Sequence, residues 1–151
     1  MEKILALRGR VYPTDLNHMG GVFGGWIMGK MDKSASITVE GLVIGQAATV
    51  FVTDLHFKEP VKNGDIFTIY TTVDSIGRTS IRIHVDFHVR RRDTNCECSV
   101  VDAIFTFVTV DEAHNKIPVL DVLRHDVEQE IRAMAQEGAK NPRYAKNSEK
   151  Y

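Results

Sequence analysis

The sequence predicts an α+β domain in which one long helix is wrapped by an antiparallel sheet, and three observations predict it. A single long stretch near the N-terminus carries apolar residues at helical spacing. The elements that follow it, up to about residue 111, have a period of two. The helix is apolar around much of its circumference, so a sheet has to curl around it to bury it.

The elements follow in order. KILALRGRV (3–11) reads as an opening strand, and Pro13-Thr14-Asp15 breaks it into a loop. From Phe23 to about Glu40 the run is too long for a strand. Phe23, Ile27, Met31, Ser34 and Thr38 share one stripe, which Met28, Ala35 and Val39 widen. After Gly45 the period switches to two. ATVFVTDLHF is a strand, KEPVKNGD supplies turn chemistry through Pro60 and Asn63-Gly64-Asp65, and IFTIYTTVDSI is the next strand. IRIHVDFHVR alternates most cleanly: Ile81, Ile83, Val85, Phe87 and Val89 on one face, Arg82, His84, Asp86, His88 and Arg90 on the other. RRDTNCE is a polar hairpin connection, and SVVDAIFTFVTVD is the last long strand. These four strands are expected to meander. Beyond Pro118, Leu120, Leu123, Val127, Ile131 and Met134 recur at helical spacing, an amphipathic helix that Gly138 should end. The division expected is one domain over 1–120, followed by a C-terminal helix and a disordered polar tail over 121–151.

At 151 residues the chain has the size of one domain, and its formal net charge of −1 argues against a nucleic-acid-coating role. It has no apolar run long enough to cross a membrane, and MEKILALRGR lacks the apolar core and cleavage site of a signal peptide. The expectation is a soluble cytoplasmic protein that engages neither nucleic acid nor membrane. Cys96 and Cys98, one residue apart, fit two free thiols in a reducing compartment.

The candidate chemistry lies in NHMGGVFGGWIMGKMDKSASI (17–37). Gly24 and Gly25 stand at the helix start, where backbone N–H groups lack partners and the macrodipole is positive. Either they let a developing oxyanion approach those donors, or they let the helix pack closely on strands. Asp32 lies at the edge of the apolar arc beside small residues, as a base with room for a ligand or as an ordinary ion-pairing aspartate. Asn17 can donate through its amide to a carbonyl oxygen or serve as a turn residue. Asp32 is nine residues past Phe23, about 13 Å along a helix. If both Asn17 and Asp32 act on one substrate atom, they must come from two subunits.

Other patterns carry less. His84-x-Asp86-x-His88 could ligate a metal, although such alternation is more commonly the solvated side of a sheet, and no metal site is expected. Arg90-Arg91-Arg92 could hold phosphates or guard a sheet edge. There is no phosphate-binding P-loop, no nucleophile elbow and no zinc-protease motif.

The residues Asn17, Gly20, Phe23, Gly24, Gly25, Trp26, Ile27, Met28, Met31 and Asp32 form a pattern that resembles the signature of the hot-dog-fold acyl-CoA thioesterases, in their broad-range bacterial branch. The resemblance continues through Phe57-x-x-Pro60-Val61-x-x-Gly64-Asp65, Gly77-Arg78-Thr79-Ser80-Ile81 and DAIFTFVTVD, covering residues 3–119 in order. It implies a hot-dog fold, dimers joined edge to edge and often assembled into hexamers, and acyl-CoA at the dimer interface. It implies that Asp32 acts as general base or nucleophile while Asn17 of the other subunit orients the thioester or water. Gly24 and Gly25 would then face the thioester carbonyl. Gly77, Arg78, Thr79 and Ser80 would lie beside the CoA nucleotide, with Arg90 and Arg91 as further phosphate partners. CoA enters as part of substrate and product, so no separate cofactor is expected. Gly21, His18-Met19 and Lys33 depart from the family pattern and bear on substrate preference. Two alternatives stand beside hydrolysis: a hydratase or dehydratase, which would want a helix histidine that 23–40 lacks, and a non-enzymatic acyl-CoA sensor.

Overall fold

The computed structural model describes residues 2–140. In chain order these are β1 (Ile4–Arg10), a 3-10 turn (Pro13–Asp15), α1 (Gly24–Glu40), β2 (Gln46–Phe57), β3 (Ile66–Ile76), β4 (Ser80–Arg90), β5 (Glu97–Val110), α2 (Val119–Val122) and α3 (Gln129–Lys140). The five strands form one antiparallel sheet in the order β1-β3-β4-β5-β2. The expected four-strand meander is therefore corrected: β3, β4 and β5 are consecutive hairpins, but β2 lies at the far edge against β5. Alternation tells which residues share a face and says nothing about which strand is the neighbour. Residues 58–65 carry the chain past β5 and β4, about 14 Å at the usual strand spacing.

α1 lies across the sheet and packs against all five strands. It buries Ile27, Met31, Ser34, Ala35, Thr38 and Val39, and the inward residues of β4 (Ile81, Ile83, Val85, Phe87 and Val89) are fully enclosed. Each such aliphatic or aromatic side chain contributes about 1.5–3 kcal/mol on leaving water. Trp26 meets Phe67 edge-on at 5.4 Å, and Phe67 stacks on Phe87 at 5.4 Å, closing the core at the start of α1. The hydroxyls of Thr38 and Thr71 satisfy each other inside the core at 2.5 Å. The helix is nonetheless covered only on its sheet side. Phe23, read from the sequence as part of the apolar stripe, keeps 53% of its surface in the single chain, and Ile37 keeps 45%.

The C-terminal segment departs from expectation in a second way. One helix was expected from about residue 120 to Gly138, but α2 stops after four residues and α3 starts at Gln129. The backbone between them is drawn off to pair with the turn after α1: Ile44 N–H donates to Val122 (2.7 Å) and Arg124 N–H to Leu42 (2.8 Å). Those bonds compete with the helical ladder and win because Leu123 is buried there. Gly138 does not end α3, which runs to Lys140. A Cβ on Gly138 would stand 2.0 Å from the Ile76 carbonyl oxygen, so the glycine lets α3 lie directly on the β3–β4 turn. Of the polar tail expected to be disordered, 139–151, residues 139 and 140 belong to α3 and 141–151 lie outside the described residues. Among the described residues no helix is long and apolar enough to cross a membrane.

Candidate functional site

Asn17 is a turn residue, one of the two roles its position allowed. Its backbone closes a tight turn, donating to Gly21 O (2.6 Å) and accepting from Gly20 N (3.1 Å), with Gly20 at φ +84°. Its side-chain Oδ1 accepts from the N–H groups of Met19 (2.9 Å) and Gly21 (3.2 Å). With Oδ1 committed to those donors, the amide is oriented and Nδ2 remains as a donor. Asn17 lines a cavity of about 410 Å³ with Gly21, Gly24, Phe57, Pro60 and Val61. The N-terminus of α1 opens beside it with no side-chain cap, which leaves the first N–H groups of a 17-residue helix available. Gly24 abuts the Phe57 ring, while nothing stands within 4 Å of the Cβ position of Gly25.

Asp32 sits elsewhere. With Gly25, Gly29 and Ser36 it forms a stripe of small residues at positions i, i+4, i+7 and i+11, the spacing of one helix face. Its Oδ1 accepts a 2.6 Å hydrogen bond from Thr49 Oγ1 on β2. Thr49 went unnoticed in the sequence because a threonine in an alternating run reads as an ordinary strand former. Only the tertiary packing of β2 on α1 shows what it touches. Asp32 does not line the Asn17 cavity, and it lies eight residues beyond Gly24, about 12 Å along the helix axis. One chain therefore carries two separated halves, and both open toward β2. That strand ends the sheet order, and among the described residues no strand pairs with its outer side. Phe23, Ile37, Ile44 and Phe57 are all about half exposed in the helix–β2 region.

The other predicted contacts divide between the two ends of β4. At one end Gly77 and Thr79 are buried, Arg78 is exposed and Ser80 is half-buried. The turn's carbonyls are committed: Arg78 O accepts from Val119 N (2.8 Å) and Thr79 O from Thr109 N (3.0 Å). The Thr79 hydroxyl is buried without a partner among the described residues. Arg90 and Arg91 lie at the other end, ten residues along the strand and about 33 Å away. Arg91 is tied down, donating to Asp65 (2.6 Å) and to the Pro60 carbonyl (2.8 Å).

The outward face of β4 forms two paired sets. Asp86 and Asp102 stand opposite each other. His88 bonds Asp86 (2.8 Å), His84 bonds Asp102 (3.2 Å), Ser99 donates to Asp86, and Lys3 and Lys58 stand 3.6 and 3.3 Å from Asp86 and Asp102 respectively. Burial pushes both carboxyls up, but the hydrogen bonds from Ser99 and His88 to Asp86, and from His84 and Lys58 to Asp102, outweigh it. Both are held below the usual aspartate range. Among the described residues no group of three or more His, Cys, Asp or Glu side chains is placed to hold a metal ion.

Comparison with known proteins gives the chain's relatives. The profile of the thioesterase superfamily matches residues 19–96, a little over half of the chain. An uncharacterized acyl-CoA thioester hydrolase of Haemophilus influenzae is 37% identical over 111 residues, 72% of this chain and 72% of its own length. Among solved structures, HI0827, a hexameric broad-specificity acyl-coenzyme A thioesterase, superposes with a TM-score of 0.76 at 30% identity, over 93% of this chain and 95% of that one. The hexameric thioesterase y2039 of Yersinia pestis does so with a TM-score of 0.72 at 32% identity, over 76% of this chain and 93% of its own.

Proposed function

This chain belongs to the thioesterase superfamily, and from that premise we propose that it hydrolyses acyl-CoA thioesters to the free acid and CoA in a site completed between two copies of itself. The observation that carries the reading is the division of the site. Asn17 and the open helix N-terminus form one half, Asp32 held by Thr49 forms the other, and the β2 edge of the sheet lies between them. Antiparallel pairing of two β2 edges would lay the Thr49 half of one strand against the Phe57 half of the other. That brings Asp32 of one copy to the Asn17 cavity of the other and covers the half-exposed apolar residues. The relatives that are hexameric support a homo-oligomer, with this dimer as the catalytic unit and a hexamer as its assembly.

The chemistry follows from the groups. Asn17 Nδ2 and the N–H groups of Gly24 and Gly25 hold the thioester oxygen as negative charge develops on it. Thr49 fixes one oxygen of Asp32 and leaves the other directed to the reaction. That oxygen either takes a proton from attacking water or attacks the carbonyl carbon, with water then cleaving the anhydride. In both routes the C–S bond breaks, water supplies the new C–O bond, and the proton ends on the departing CoA sulfur. The Gly77–Ser80 turn and Arg90 stand about 33 Å apart in one chain, so contacts from both to the CoA portion would come from two subunits. Arg91 contributes by fixing the loop between β2 and β3. The reading needs no cofactor beyond the CoA in the substrate, and the two free thiols Cys96 and Cys98 suit a cytoplasmic setting.

Thiol release from short-, medium- and long-chain acyl-CoAs by wild type and Asp32→Asn tests it. Wild type is expected to release CoA, with a loss of about a hundredfold or more in the variant, in the range a catalytic base supplies. A wild type that binds CoA and releases none from any chain length would replace the hydrolase by a sensor.

A further inference from the structure

We propose that Lys58 is a positioning residue for the Asn17 half of the site, and that the His84-x-Asp86-x-His88 face of β4 works through it. The proposal rests on the hydrolase reading for the reaction that this half-site serves. Lys58 is the first residue after β2. With Phe57, Glu59, Pro60 and Val61 it lines the cavity that holds Asn17. Its ammonium turns to the outward face of the sheet, where Nζ donates to Ser99 Oγ (3.1 Å) and stands 3.3 Å from Asp102 Oδ1.

Both histidines of the motif lead to that ammonium. His84 Nε2 lies 3.2 Å from Asp102 Oδ2, the other oxygen of the same carboxylate. His88 Nε2 lies 2.8 Å from Asp86 Oδ2, Asp86 Oδ1 accepts from the Ser99 hydroxyl, and that hydroxyl accepts from Lys58. Ser99 has one proton to give and gives it to Asp86, so a pure donor such as an ammonium suits its remaining lone pairs. An exposed ion pair by itself holds a side chain weakly. Here Asp102 Oδ1 is buried, no hydrogen bond reaches it among the described residues, and the charge that faces it is Lys58. Withdrawing the ammonium would leave a buried carboxylate oxygen without its counter-charge. Solvation of the sheet face does not require two His–Asp pairs to converge on one lysine.

What the anchor fixes is the exit of the chain from β2. The Lys58 N–H donates to Val100 O (2.8 Å), so backbone and side chain both grip β5. Further along the same wall, Val61 O accepts from the Val22 N–H (3.3 Å). Val22 follows Gly21, whose carbonyl accepts from Asn17 N–H (2.6 Å) and closes the Asn17 turn. A shift at Lys58 is therefore passed through the cavity wall to Asn17 and to the start of α1. Arg91 pins the loop at Pro60 and Asp65, and Lys58 supplies the second fixed point at the strand end. Displacing reacting groups by about 1 Å can cost about a hundredfold in rate.

The test uses the intact protein with Lys58→Met, Lys58→Arg and Asp102→Asn, each assayed well below its melting temperature. In thiol release from an acyl-CoA, Lys58→Met is expected to lower kcat about tenfold or more with KM little changed, because the reacting end is disturbed and CoA binding is not. Lys58→Arg should recover most of that loss. Asp102 does not line the cavity, so Asp102→Asn should show the same fall in kcat, and the double variant of Lys58→Met with Asp102→Asn should be no worse than either alone. An Asp102→Asn enzyme with wild-type kcat overturns the proposal, since any effect of Lys58 would then be a direct contact with substrate. A Lys58→Met enzyme that melts lower but turns over like wild type overturns it as well. Amide exchange supplies a readout that needs no reaction. The Val22 amide should exchange faster in Lys58→Met than in wild type, and unchanged protection overturns the anchor. A wild type that releases no CoA sinks the hydrolase reading alone, and Val22 exchange still decides whether Lys58 positions this half of the site.

Discussion

Asp86 shows how a single residue in this fold couples to pH. It is only 8% exposed, faces Asp102 across the β4–β5 ladder, and is stabilised by Ser99, His88 and Lys3. Because its folded pKa is depressed, the stabilisation is fully present above the unfolded aspartate value of about 3.9 and is lost as pH falls through the folded value. Asp86→Asn should therefore melt below wild type at neutral pH by about 1–3 kcal/mol, the cost of disturbing a buried charged hydrogen-bond set. Melts from pH 7 to pH 3 should show the gap closing below about pH 4. A gap constant across that range would mean that packing, not charge, is what the substitution disturbs. The outward alternation of His84, Asp86 and His88 was plain in the sequence. Their pairing with Asp102 and Ser99 was not, since those partners arrive on another strand. Asp32 and Thr49 repeat the lesson: the carboxylate could be picked out as a lone acid among small residues, whereas its hydrogen-bond donor lies 17 residues away on β2.

Among the elements, α3 makes the sharpest prediction. Gly138 lies within the helix and touches the Ile76–Gly77 backbone, so Gly138→Ala sets a helix-propensity gain of about 1 kcal/mol against an overpacking cost of about 1–3 kcal/mol. The neighbour is backbone, which cannot rotate away, so the cost should win. Chemical denaturation should show a lower midpoint for Gly138→Ala, while Gln136→Ala, at an exposed position, stays near wild type. An unchanged midpoint for Gly138→Ala would show that α3 is not seated on that turn. The break between α2 and α3 belongs to this scale too. Leu120, Leu123, Val127, Ile131 and Met134 keep helical spacing right across it, so periodicity could not reveal the interruption. The competing bonds to Leu42 and Ile44 come from the turn after α1, far earlier in the chain.

For the molecule as a whole the prediction is complementation. Asn17→Ala and Asp32→Asn each remove one half of the proposed site, so each homo-oligomer should be inactive. Exchanging the two variants by partial unfolding and refolding should recover thiol release, because every mixed dimer holds one intact pair. If both halves instead acted within one chain, mixing would recover nothing. Sequence alone determined the order of the elements through β5, the inward face of β4, the long helix with its lone acid and glycine-rich start, and the family, because those are written in local spacing and short motifs. Tertiary structure decided that β2 occupies the sheet edge, that Thr49 holds Asp32 and that Arg91 is a strut. Each of these depends on which strand lies beside which, and hydrogen-bonded neighbours far apart in sequence leave no mark on a residue's own surroundings in the chain.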